Sequence, residues 1–360
     1  TYFFMSIIEI IFWICLVIVF YTYIGYGIIL FAAVKVKRAF CKSKQESDFF
    51  EPVDVTLMIC AYNEQDIVEM KMDNTNSLDY PKDKLHVVWV TDGSNDATNE
   101  KLSHYPNVKV LYSPERKGKT AAINRGIKLV DTSLIIMTDA NTIINPEAVK
   151  EVVKLFQDPK VGCVAGEKRV MSRHEGQAAA EGEGLYWKYE STLKKWDSEL
   201  YSAMGAAGEF CAIRKELYQE MPEDTLLDDF IVSMQMVDRG YRIAYTDKAY
   251  AMEYGSADFQ EESKRKRRIA AGGLQSIWRL RRMLNPFRQP VVAFQYISHR
   301  VLRWSITPIA LISLIPLNVA LVFGKAGSIY TIIWILQILF YAAALLGYIF
   351  ACKGRKNKIL

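Results

Sequence analysis

Three stretches of the chain are almost entirely apolar. The first runs from residue 6 to residue 34 with Glu9 as its only charge, and residues 304–323 and 328–351 are separated by the sequence GKAG. A helix needs about 20 residues to cross the roughly 30 Å hydrocarbon core of a bilayer, and buried core helices are usually shorter. No small-residue cleavage site marks a secretory signal. The pattern therefore predicts one membrane-spanning helix near the start and a membrane hairpin near the end.

Basic residues flank all three spans. They are Lys35, Lys37, Arg38, Lys42 and Lys44 after the first, Arg279, Arg281, Arg282 and Arg288 before the second, and Lys353, Arg355, Lys356 and Lys358 after the third. Such flanks usually face the cytoplasm, which fits three spans with the amino terminus outside. We therefore expect a multi-pass protein of the cell (inner) membrane with a large cytoplasmic domain between the first and second spans.

Between the spans, short apolar runs alternate with polar, helix-like stretches. Strands are predicted at residues 53–62, within 84–98, at 107–113 and at 133–142, with helices up to about Leu78, near 98–105 and at 119–129. This alternation is typical of an α/β domain, a mostly parallel sheet with helices on both faces.

Polar residues collect where the predicted strands end. Ala61, Tyr62 and Glu64 follow the first strand, Asp92 ends the second, and Asp139 and Asn141 end the fourth. Ligands bind at the carboxyl ends of the strands in such sheets. One such cluster alone is ordinary turn or N-cap chemistry, but three at successive strand ends favour a site.

Positive charge precedes the helix predicted at 119–129. Lys117 and Lys119 flank Gly118, so a diphosphate could meet an ammonium group and the positive end of a helix. The spacing is not that of a P-loop. By itself, a basic helix start is usually only a solvated face.

Overall charge and cysteine content narrow the setting. The formal net charge of +5 lies mainly in the flanks of the spans, which indicates contact with anionic membrane lipids and not with nucleic acid. Six cysteines, at positions 15, 41, 60, 163, 211 and 352, form no C-x-x-C pair. This pattern argues against a metal site made of cysteines and against a disulfide framework, and it fits a reducing compartment.

Six segments in a fixed order carry a family resemblance. They read CAYNE, TDGSNDAT, RKGKTAAINRG, TDAN, GAAGEFCAIRKEL and LLDDFIVSMQMVDRGYRIAY, and they lie within residues 53–270. Together they resemble family 2 glycosyltransferases of the GT-A fold, a Rossmann-like fold that binds nucleotide-diphospho-sugars. With the flanking spans, the chain is similar to the membrane-integrated branch, which includes cellulose, hyaluronan and poly-N-acetylglucosamine synthases.

The resemblance implies a hexosyltransferase of polysaccharide biosynthesis. It would move a sugar, with inversion, from a nucleotide-diphosphate donor, expected to be a UDP-sugar, to a lipid-linked or growing glycan acceptor. A departing diphosphate calls for Mg²⁺ or Mn²⁺ and a lysine, and direct displacement needs one base.

The residues that match the family's motifs receive roles from it. They are Ala61, Tyr62, Glu64, Asp92, Lys119, Asp139 and Arg268 for the donor, Asp139 and Asn141 for the metal, Gly208 and Glu209 for the acceptor, Asp229 as the base, and Asp228 beside it. For the aspartate pair and for the glycine-rich loop, simple helix-start charge and an ordinary turn remain alternatives.

One motif differs from that of the family members that add sugars processively. Where they carry Gln-x-x-Arg-Trp, this chain has Arg265, Arg268 and Ile269, so the arginine is kept and the tryptophan is lost. Arg268 can still bind a diphosphate bidentately. Three spans are also few for a polysaccharide channel, which would need more helices or a partner subunit in the membrane. Both features argue against processive polymerisation.

These expectations divide the chain into five parts. They are residues 1–40 with the first span and its basic flank, 50–272 as the GT-A domain, 273–303 as an amphipathic interfacial segment, 304–352 as two spans, and 353–360 as a basic tail. In the interfacial segment, Leu274, Ile277, Trp278 and Leu284 are expected in the bilayer surface. Tyr186, Trp187, Tyr189 and Trp196 could stack on sugar, but core or membrane-surface packing is the favoured reading.

Two other functions stay open at this point. A nucleotidyltransferase can use a similar crevice, although the first loop lacks a glycine-rich start and the DD pair follows a long acceptor segment. A non-catalytic membrane scaffold of the same fold is the other alternative.

Overall fold

The computed structural model describes residues 2–40, 50–171, 178–254 and 259–352. The helices are α1 (Tyr2–Phe20), α2 (Tyr26–Phe40), α3 (Val68–Asn76), α4 (Thr98–Ser103), α5 (Lys119–Lys128), α6 (Ala148–Leu155), α7 (Ala178–Leu200), α8 (Asp228–Asp238), α9 (Phe259–Arg279), α10 (Pro290–Tyr296), α11 (Leu302–Trp304), α12 (Ile306–Phe323) and α13 (Ser328–Cys352). The strands are β1 (Val55–Ala61), β2 (Leu85–Asp92), β3 (Val108–Ser113), β4 (Leu134–Asp139), β5 (Ile143–Ile144), β6 (Val161–Met171), β7 (Phe210–Arg214) and β8 (Arg242–Tyr254).

Within the described residues, three helical segments are long and apolar enough to cross a membrane. They are Ser6–Phe40, which joins α1 to α2 through a π-helical turn, Ile306–Phe323 and Ser328–Gly347. All three predicted spans are therefore present as helices. α1 packs against α12, and the hydroxyl groups of Thr22 and Thr307 lie 2.8 Å apart between them.

The first apolar helix is longer than a bilayer core requires. Its 35 residues span about 52 Å, so its last turns extend beyond the apolar part. There Lys37 donates to the carbonyl oxygens of Glu199 and Leu200 at 2.8 and 3.0 Å, and Arg38 binds the Glu199 carboxylate at 2.5 and 2.7 Å. The basic flank thus fastens this helix to α7 of the large domain.

The described strands form one eight-stranded sheet in the order β3-β2-β1-β4-β7-β6-β8-β5. β3, β2, β1 and β4 are parallel, as the sequence predicts, whereas β7 runs antiparallel to both β4 and β6. The parallel strands are short apolar runs because helices cover both faces of this part of the sheet. The sheet as a whole is mixed.

The two faces of the sheet carry separate apolar layers. Met58 and Val90 point into the layer that α5 and α8 cover, whereas Leu57 and Trp89 point into the other. Gly126 permits the close approach of α5, since a Cβ there would lie 2.6 Å from Met58 Sδ and 2.8 Å from Val90 Cγ2. This packing fixes the start of α5 against the carboxyl ends of the strands.

The segment at 273–303 belongs largely to the large domain. α9 runs continuously across residues 272 and 273, and Leu280, Met283, Val292 and Tyr296 are part of the apolar core. Leu274 and Trp278 are exposed, as an interfacial position requires, but Leu284 packs against the core. The short helical turn that carries Leu284 packs against the domain, so the side chain of Leu284 is less accessible to a bilayer surface than those of Leu274 and Trp278.

Candidate active site

Asp92, at the end of β2, shapes the basic loop before α5. Its Oδ2 accepts hydrogen bonds from the backbone N–H groups of Lys117 and Gly118 at 2.9 and 2.6 Å, and its side chain is almost fully buried. Gly118 has a φ of 95°, which favours glycine, and the chain turns there directly into α5. The carboxylate predicted to contact the donor therefore also holds the loop that carries Lys119.

The loops after β1 and β2 are joined side by side. Asn63 and Asn95 hydrogen-bond reciprocally at 2.9 and 3.0 Å, and the guanidinium of Arg116 lies 3.7 Å from the ring centre of Tyr62. Burial, with the charges of Asp139 and Asp96, raises the pKa of Glu64. Tyr62 and Arg116 form a flat, partly exposed surface of the kind on which a nucleobase stacks.

Four charged side chains meet at the carboxyl ends of the parallel strands. Lys119 Nζ, at the start of α5, lies 2.6 Å from Asp139 Oδ1 and 3.9 Å from Asp228 Oδ2. Gly208 touches this cluster, because a Cβ there would lie 3.4 Å from Lys119 Nζ and 3.5 Å from Asp229 Oδ2. The end of β4, the starts of α5 and α8, and the glycine-rich loop thus bring together five residues named from the sequence: Asp139, Lys119, Asp228, Asp229 and Gly208.

The ionisation of this cluster follows from its burial and its neighbours. Burial and the charge of Asp228, against the opposing effect of Lys119, raise the pKa of Asp229 to about 6. Burial alone would lower the pKa of Lys119, but Asp139 and Asp228 hold it well above its usual range. Lys119 is therefore a permanent cation, and Asp229 is a carboxylate that exchanges a proton near neutral pH.

A cavity of about 480 Å³ opens beside the cluster. Among the residues named from the sequence, Lys119, Asp139, Asn141, Gly208, Glu209, Asp228, Asp229 and Arg268 line it, together with Ile269. Ala61, Tyr62, Glu64 and Asp92 lie outside its lining. Four lining residues that the sequence analysis did not single out are Lys194, Arg300, Arg303 and Trp304.

Glu209, named as an acceptor ligand, is held by cations. Its carboxylate lies 2.5 Å from Lys168 Nζ and 3.7 Å from Arg265. Burial would raise its pKa, but Lys168 holds that pKa at about 2. Lys168 also pairs with Glu253. Glu209 is thus a fixed anion that ties the glycine-rich loop to β6, β8 and α9.

The aromatic residues of α7 divide into two groups. Tyr186 and Trp187 line the cavity. Tyr189 donates a hydrogen bond to the Tyr23 carbonyl at 2.6 Å, and the ring of Trp196 lies 5.2 Å from that of Phe31. Tyr189 and Trp196 therefore pack against the first apolar helix, whereas Tyr186 and Trp187 face the cavity.

A buried polar network joins α7 to the helices on either side of it. The Tyr26 hydroxyl donates to Asp197, which also accepts from Gln295 Nε2 at 2.9 Å and contacts His299 Nδ1 at 2.5 Å. The other ring nitrogen of His299 faces Glu190 at 3.3 Å. α7 is thereby fixed both to α2 and to the segment that leads into α12.

The residues present fit a divalent cation that arrives with its ligand. No group of three or more histidine, cysteine, aspartate or glutamate side chains suited to a metal occurs in the described ranges. Asp139 is a single, partly exposed carboxylate, and Asn141 follows it on the same exposed turn. Mg²⁺ and Mn²⁺ accept carboxylate, amide, water and phosphate oxygens together, so a diphosphate would supply the remaining ligands.

Lys71 lies behind the turn that carries Asp139. It is fully buried in α3 and donates to the Thr142 carbonyl at 2.8 Å and to the Thr138 hydroxyl at 3.2 Å. Burial lowers its pKa to about 7, against the opposing charge of Asp139. A lysine thus holds the turn that carries Asp139 without lining the cavity.

Replacing Lys71 by Met should change the pH dependence of stability. The pKa of Lys71 is lower in the folded protein than in the unfolded chain. Between about pH 7 and 10.5 the folded protein therefore binds fewer protons than the unfolded chain, and its stability rises with pH across that range. We expect the melting temperature of the wild type to rise relative to Lys71→Met between pH 7 and pH 9.5. Lys109→Met, which removes an exposed lysine bonded to a carbonyl oxygen, is the control and should show no such trend. Parallel curves for wild type and Lys71→Met would contradict the assignment.

The fold and this arrangement of residues match a known family. The family model described as "Glycosyltransferase like family 2" matches residues 52–272, which is more than half of the chain. The chain therefore belongs to glycosyltransferase family 2, and the expected GT-A fold is confirmed.

Individual relatives agree with this assignment. The chain is 28% identical over 229 residues to the poly-beta-1,6-N-acetyl-D-glucosamine synthase of Staphylococcus aureus (strain MSSA476), covering 61% of this chain and 54% of that protein. It is 24% identical over 203 residues to the synthase of the same name from Staphylococcus epidermidis, covering 54% and 48%. The chain spans about half the length of these curated relatives.

One solved structure resembles nearly the whole chain. It is the mannosyltransferase PcManGT from Pyrobaculum calidifontis, in complex with GDP-Man and Mn²⁺, with a TM-score of 0.67 and 22% identity. The match covers 94% of this chain and 98% of that one. At this identity the likeness shows a shared fold, which here extends beyond the GT-A domain.

Proposed function

We propose that this chain is a membrane-anchored, inverting glycosyltransferase that moves a sugar from a nucleotide-diphosphate donor to a lipid-linked or growing glycan. The observation that carries the proposal is the position of Asp229. It lies on the cavity wall at the start of α8, beside the cluster of Lys119, Asp139 and Asp228. A base and a diphosphate-binding cation are thereby held within one crevice.

The proposed chemistry is a single displacement. Asp229 accepts the proton of the acceptor hydroxyl as that oxygen attacks the anomeric carbon, and the bond from that carbon to the diphosphate breaks. The nucleoside diphosphate departs and the anomeric configuration inverts. A pKa of about 6 suits Asp229 to this role, because the base is ionised at neutral pH yet retains a strong tendency to take a proton.

The leaving diphosphate needs positive charge. Lys119 supplies an ammonium group at the start of α5, and Arg268 extends from α9 into the same cavity. Asp139 and Asn141 would hold Mg²⁺ or Mn²⁺, which when bound would offset charge on the departing phosphates. Ala61, Tyr62, Glu64 and Asp92, at the adjoining loops, would hold the nucleoside, and Gly208 and Glu209 would face the acceptor.

The setting of the reaction is part of the proposal. The three apolar helices would place the protein in the cell membrane with the catalytic domain on the cytoplasmic side. Exposed Leu274 and Trp278, with Arg281 and Arg282 nearby, would lie against anionic lipid. A complete polysaccharide channel would need further membrane helices or a partner subunit.

A panel of nucleotide sugars tests the proposed function. The purified full chain, in lipid with Mn²⁺ or Mg²⁺, is expected to hydrolyse or transfer at least one UDP-sugar and to release nucleoside diphosphate. Product size would then separate single transfer from chain extension. Release of pyrophosphate would instead indicate a nucleotidyltransferase, and the absence of binding and turnover for every donor would favour a scaffold.

A further inference from the structure

One end of the cavity carries cations that the proposed donor chemistry does not use. Lys194 projects from α7, and Arg300 and Arg303 come from the segment before α12; all three line the cavity. Lys119, on the donor side, interacts with Asp139, Asp228 and Asp229, whereas Lys194 interacts with Arg300, Glu190, Glu209 and Asp229. Asp229 therefore lies between two positively charged regions.

Of these three cations, Lys194 alone has no directly paired carboxylate among the described residues. Its side chain is only 6% exposed, and within the described ranges no carboxylate or other acceptor lies within bonding distance of its ammonium group. Burial, with the charge of Arg300, lowers its pKa. The ammonium group thus faces the cavity without a directly paired carboxylate, which makes it a candidate partner for an anionic ligand.

Arg303 is also incompletely paired. One terminal nitrogen donates to Glu190 at 2.9 Å, but Nε and the other terminal nitrogen are buried and have no hydrogen-bond partner in the described part of the chain. Its side chain is 10% exposed. The two unpaired N–H groups lie on one edge of the guanidinium, which is the geometry that grips a phosphate or carboxylate bidentately.

Glu190 cannot neutralise all three cations. It pairs with Arg300 at 2.8 Å as well as with Arg303. Burial would raise its pKa, but Arg300, His299 and Arg303 hold it well below its usual range. Glu209, the next carboxylate, already pairs with Lys168. The six cationic and six acidic side chains of the whole lining balance, but around Lys194, Arg300 and Arg303 the positive charge exceeds that of Glu190.

We propose that Lys194, Arg300 and Arg303 bind a phosphate group that links the acceptor to a membrane lipid. The inference rests on the proposed function and names the chemical class of its acceptor. An uncharged glycan would leave the excess positive charge uncompensated, whereas a phosphate supplies both charge and several acceptor oxygens. Asp229 keeps its role as base for a hydroxyl group on the same acceptor.

The apolar surroundings indicate where the lipid chain would lie. Trp304 and Ile269 line the cavity beside the cations, and α12 begins at Ile306, three residues after Arg303. Ile309 and Ile312 on α12 are 67% and 69% exposed. A phosphate held at Arg303 would thus direct an attached hydrocarbon chain along this helix.

Direct binding tests the inference without relying on transfer. The full chain in maltoside micelles, which carry no phosphate, is titrated with dodecyl phosphate, dodecanol, inorganic phosphate and UDP. We expect dodecyl phosphate to bind saturably and at least about tenfold more tightly than dodecanol or inorganic phosphate, the factor that one charge-assisted contact provides. UDP should bind without displacing it.

Two adjacent lysines of α7 provide a matched pair of variants. Lys194→Met should weaken dodecyl phosphate binding about tenfold or more. Lys195→Met, which removes an exposed lysine paired with Asp247, should leave binding within about twofold. Lys194→Met should also melt at a higher temperature than the wild type, because the cost of burying this charge beside Arg300 outweighs its attraction to Glu190, Glu209 and Asp229. Arg303→Gln supplies a second variant with the same expected loss of binding.

Each contrary result is specific. Equal binding of dodecyl phosphate and dodecanol, or equal behaviour of Lys194→Met and Lys195→Met, would overturn the phosphate site. Inorganic phosphate binding as tightly as the amphiphile would overturn its assignment to a lipid, and displacement by UDP would assign the cations to the donor. Nucleotide-sugar hydrolysis without amphiphile binding would refute this inference alone, whereas binding without any turnover would refute the proposed function.

Discussion

Replacing Asp229 by Asn should lower glycosyl transfer by about 10²- to 10⁴-fold, the range that general-base catalysis contributes. The amide keeps the shape of the side chain but cannot accept the acceptor's proton. Nucleotide-sugar binding should change little, since Asp139 and Lys119 remain paired. Initial rates of nucleoside diphosphate release, with donor affinity measured separately, check this expectation. Unchanged transfer would show that Asp229 is not the base and would favour the scaffold.

The wild-type pH profile provides an independent check on the same residue. Because Asp229 must be ionised to act, kcat/KM should rise with pH and level off above about pH 6. Asp228→Asn removes a neighbouring negative charge that raises the pKa of Asp229, so the rising limb should move to lower pH. If the rise in kcat/KM occurs at the same pH in Asp228→Asn as in the wild type, the two carboxylates are not coupled.

Asp229→Asn should also stabilise the fold at neutral pH. The pKa of Asp229 is higher in the folded protein than in the unfolded chain. The contribution of this group to stability is therefore complete below the pKa of the unfolded chain, and it is lost as pH rises through the pKa of about 6 in the folded protein. The variant should therefore melt higher than the wild type at pH 7.5, and the difference should vanish near pH 3.5. An activity loss that accompanies a gain in stability excludes unfolding as its cause.

Replacing Asp139 by Ala should abolish transfer, with a loss of at least about 10²-fold, whereas Asn141→Ala should only weaken it. Asp139 is the carboxylate proposed to hold the cation, and it also pairs with Lys119 at 2.6 Å. Asn141 offers a neutral oxygen that water can replace. Transfer rates measured over a Mn²⁺ titration would show the difference, with Asn141→Ala recovering at high metal concentration and Asp139→Ala not recovering.

Metal binding itself should depend on the nucleotide. One carboxylate and one amide are a weak site for a hard cation, so we expect little Mn²⁺ binding by the wild type alone and a marked rise in affinity when a nucleotide sugar is present. Calorimetric titrations with and without donor would measure this. Tight Mn²⁺ binding to the nucleotide-free protein would contradict the proposed ligand set, as would full activity of Asp139→Ala.

The parallel half of the sheet and the cluster at its edge could be predicted from the sequence. β1, β2 and β4 are short, mostly buried apolar runs, β3 is a half-buried edge strand, and the chain order places Asp92, Lys119 and Asp139 at one edge. The local signal is strong there because strand, turn and helix start are adjacent in sequence. The aspartate pair at the start of α8 was predicted from the resemblance of its segment to the family's motif.

The end of the cavity lined by Lys194, Arg300 and Arg303 could not be predicted in this way. Lys194 and Arg303 are more than a hundred residues apart, and they meet because α7 packs beneath the segment that leads into α12. In the sequence, Arg300 and Arg303 look like the ordinary basic flank of a membrane span. The strands β6, β7 and β8 were not predicted, because the antiparallel pairing of β7 with β6 and the parallel pairing of β6 with β8 depend on contacts distant in sequence.

The network around Asp197 affects how the enzyme can be handled. Tyr26 and His299, which bind this buried carboxylate, lie on opposite sides of the GT-A domain in sequence, one in the first apolar helix and one just before the second. A fragment limited to residues 50–272 would lack Tyr26 and His299. The buried carboxylates of Asp197 and Glu190 on α7 would then lose these partners. We therefore expect the GT-A domain to fold fully only together with the apolar helices on either side of it, and detergent or lipid to be needed for that folding.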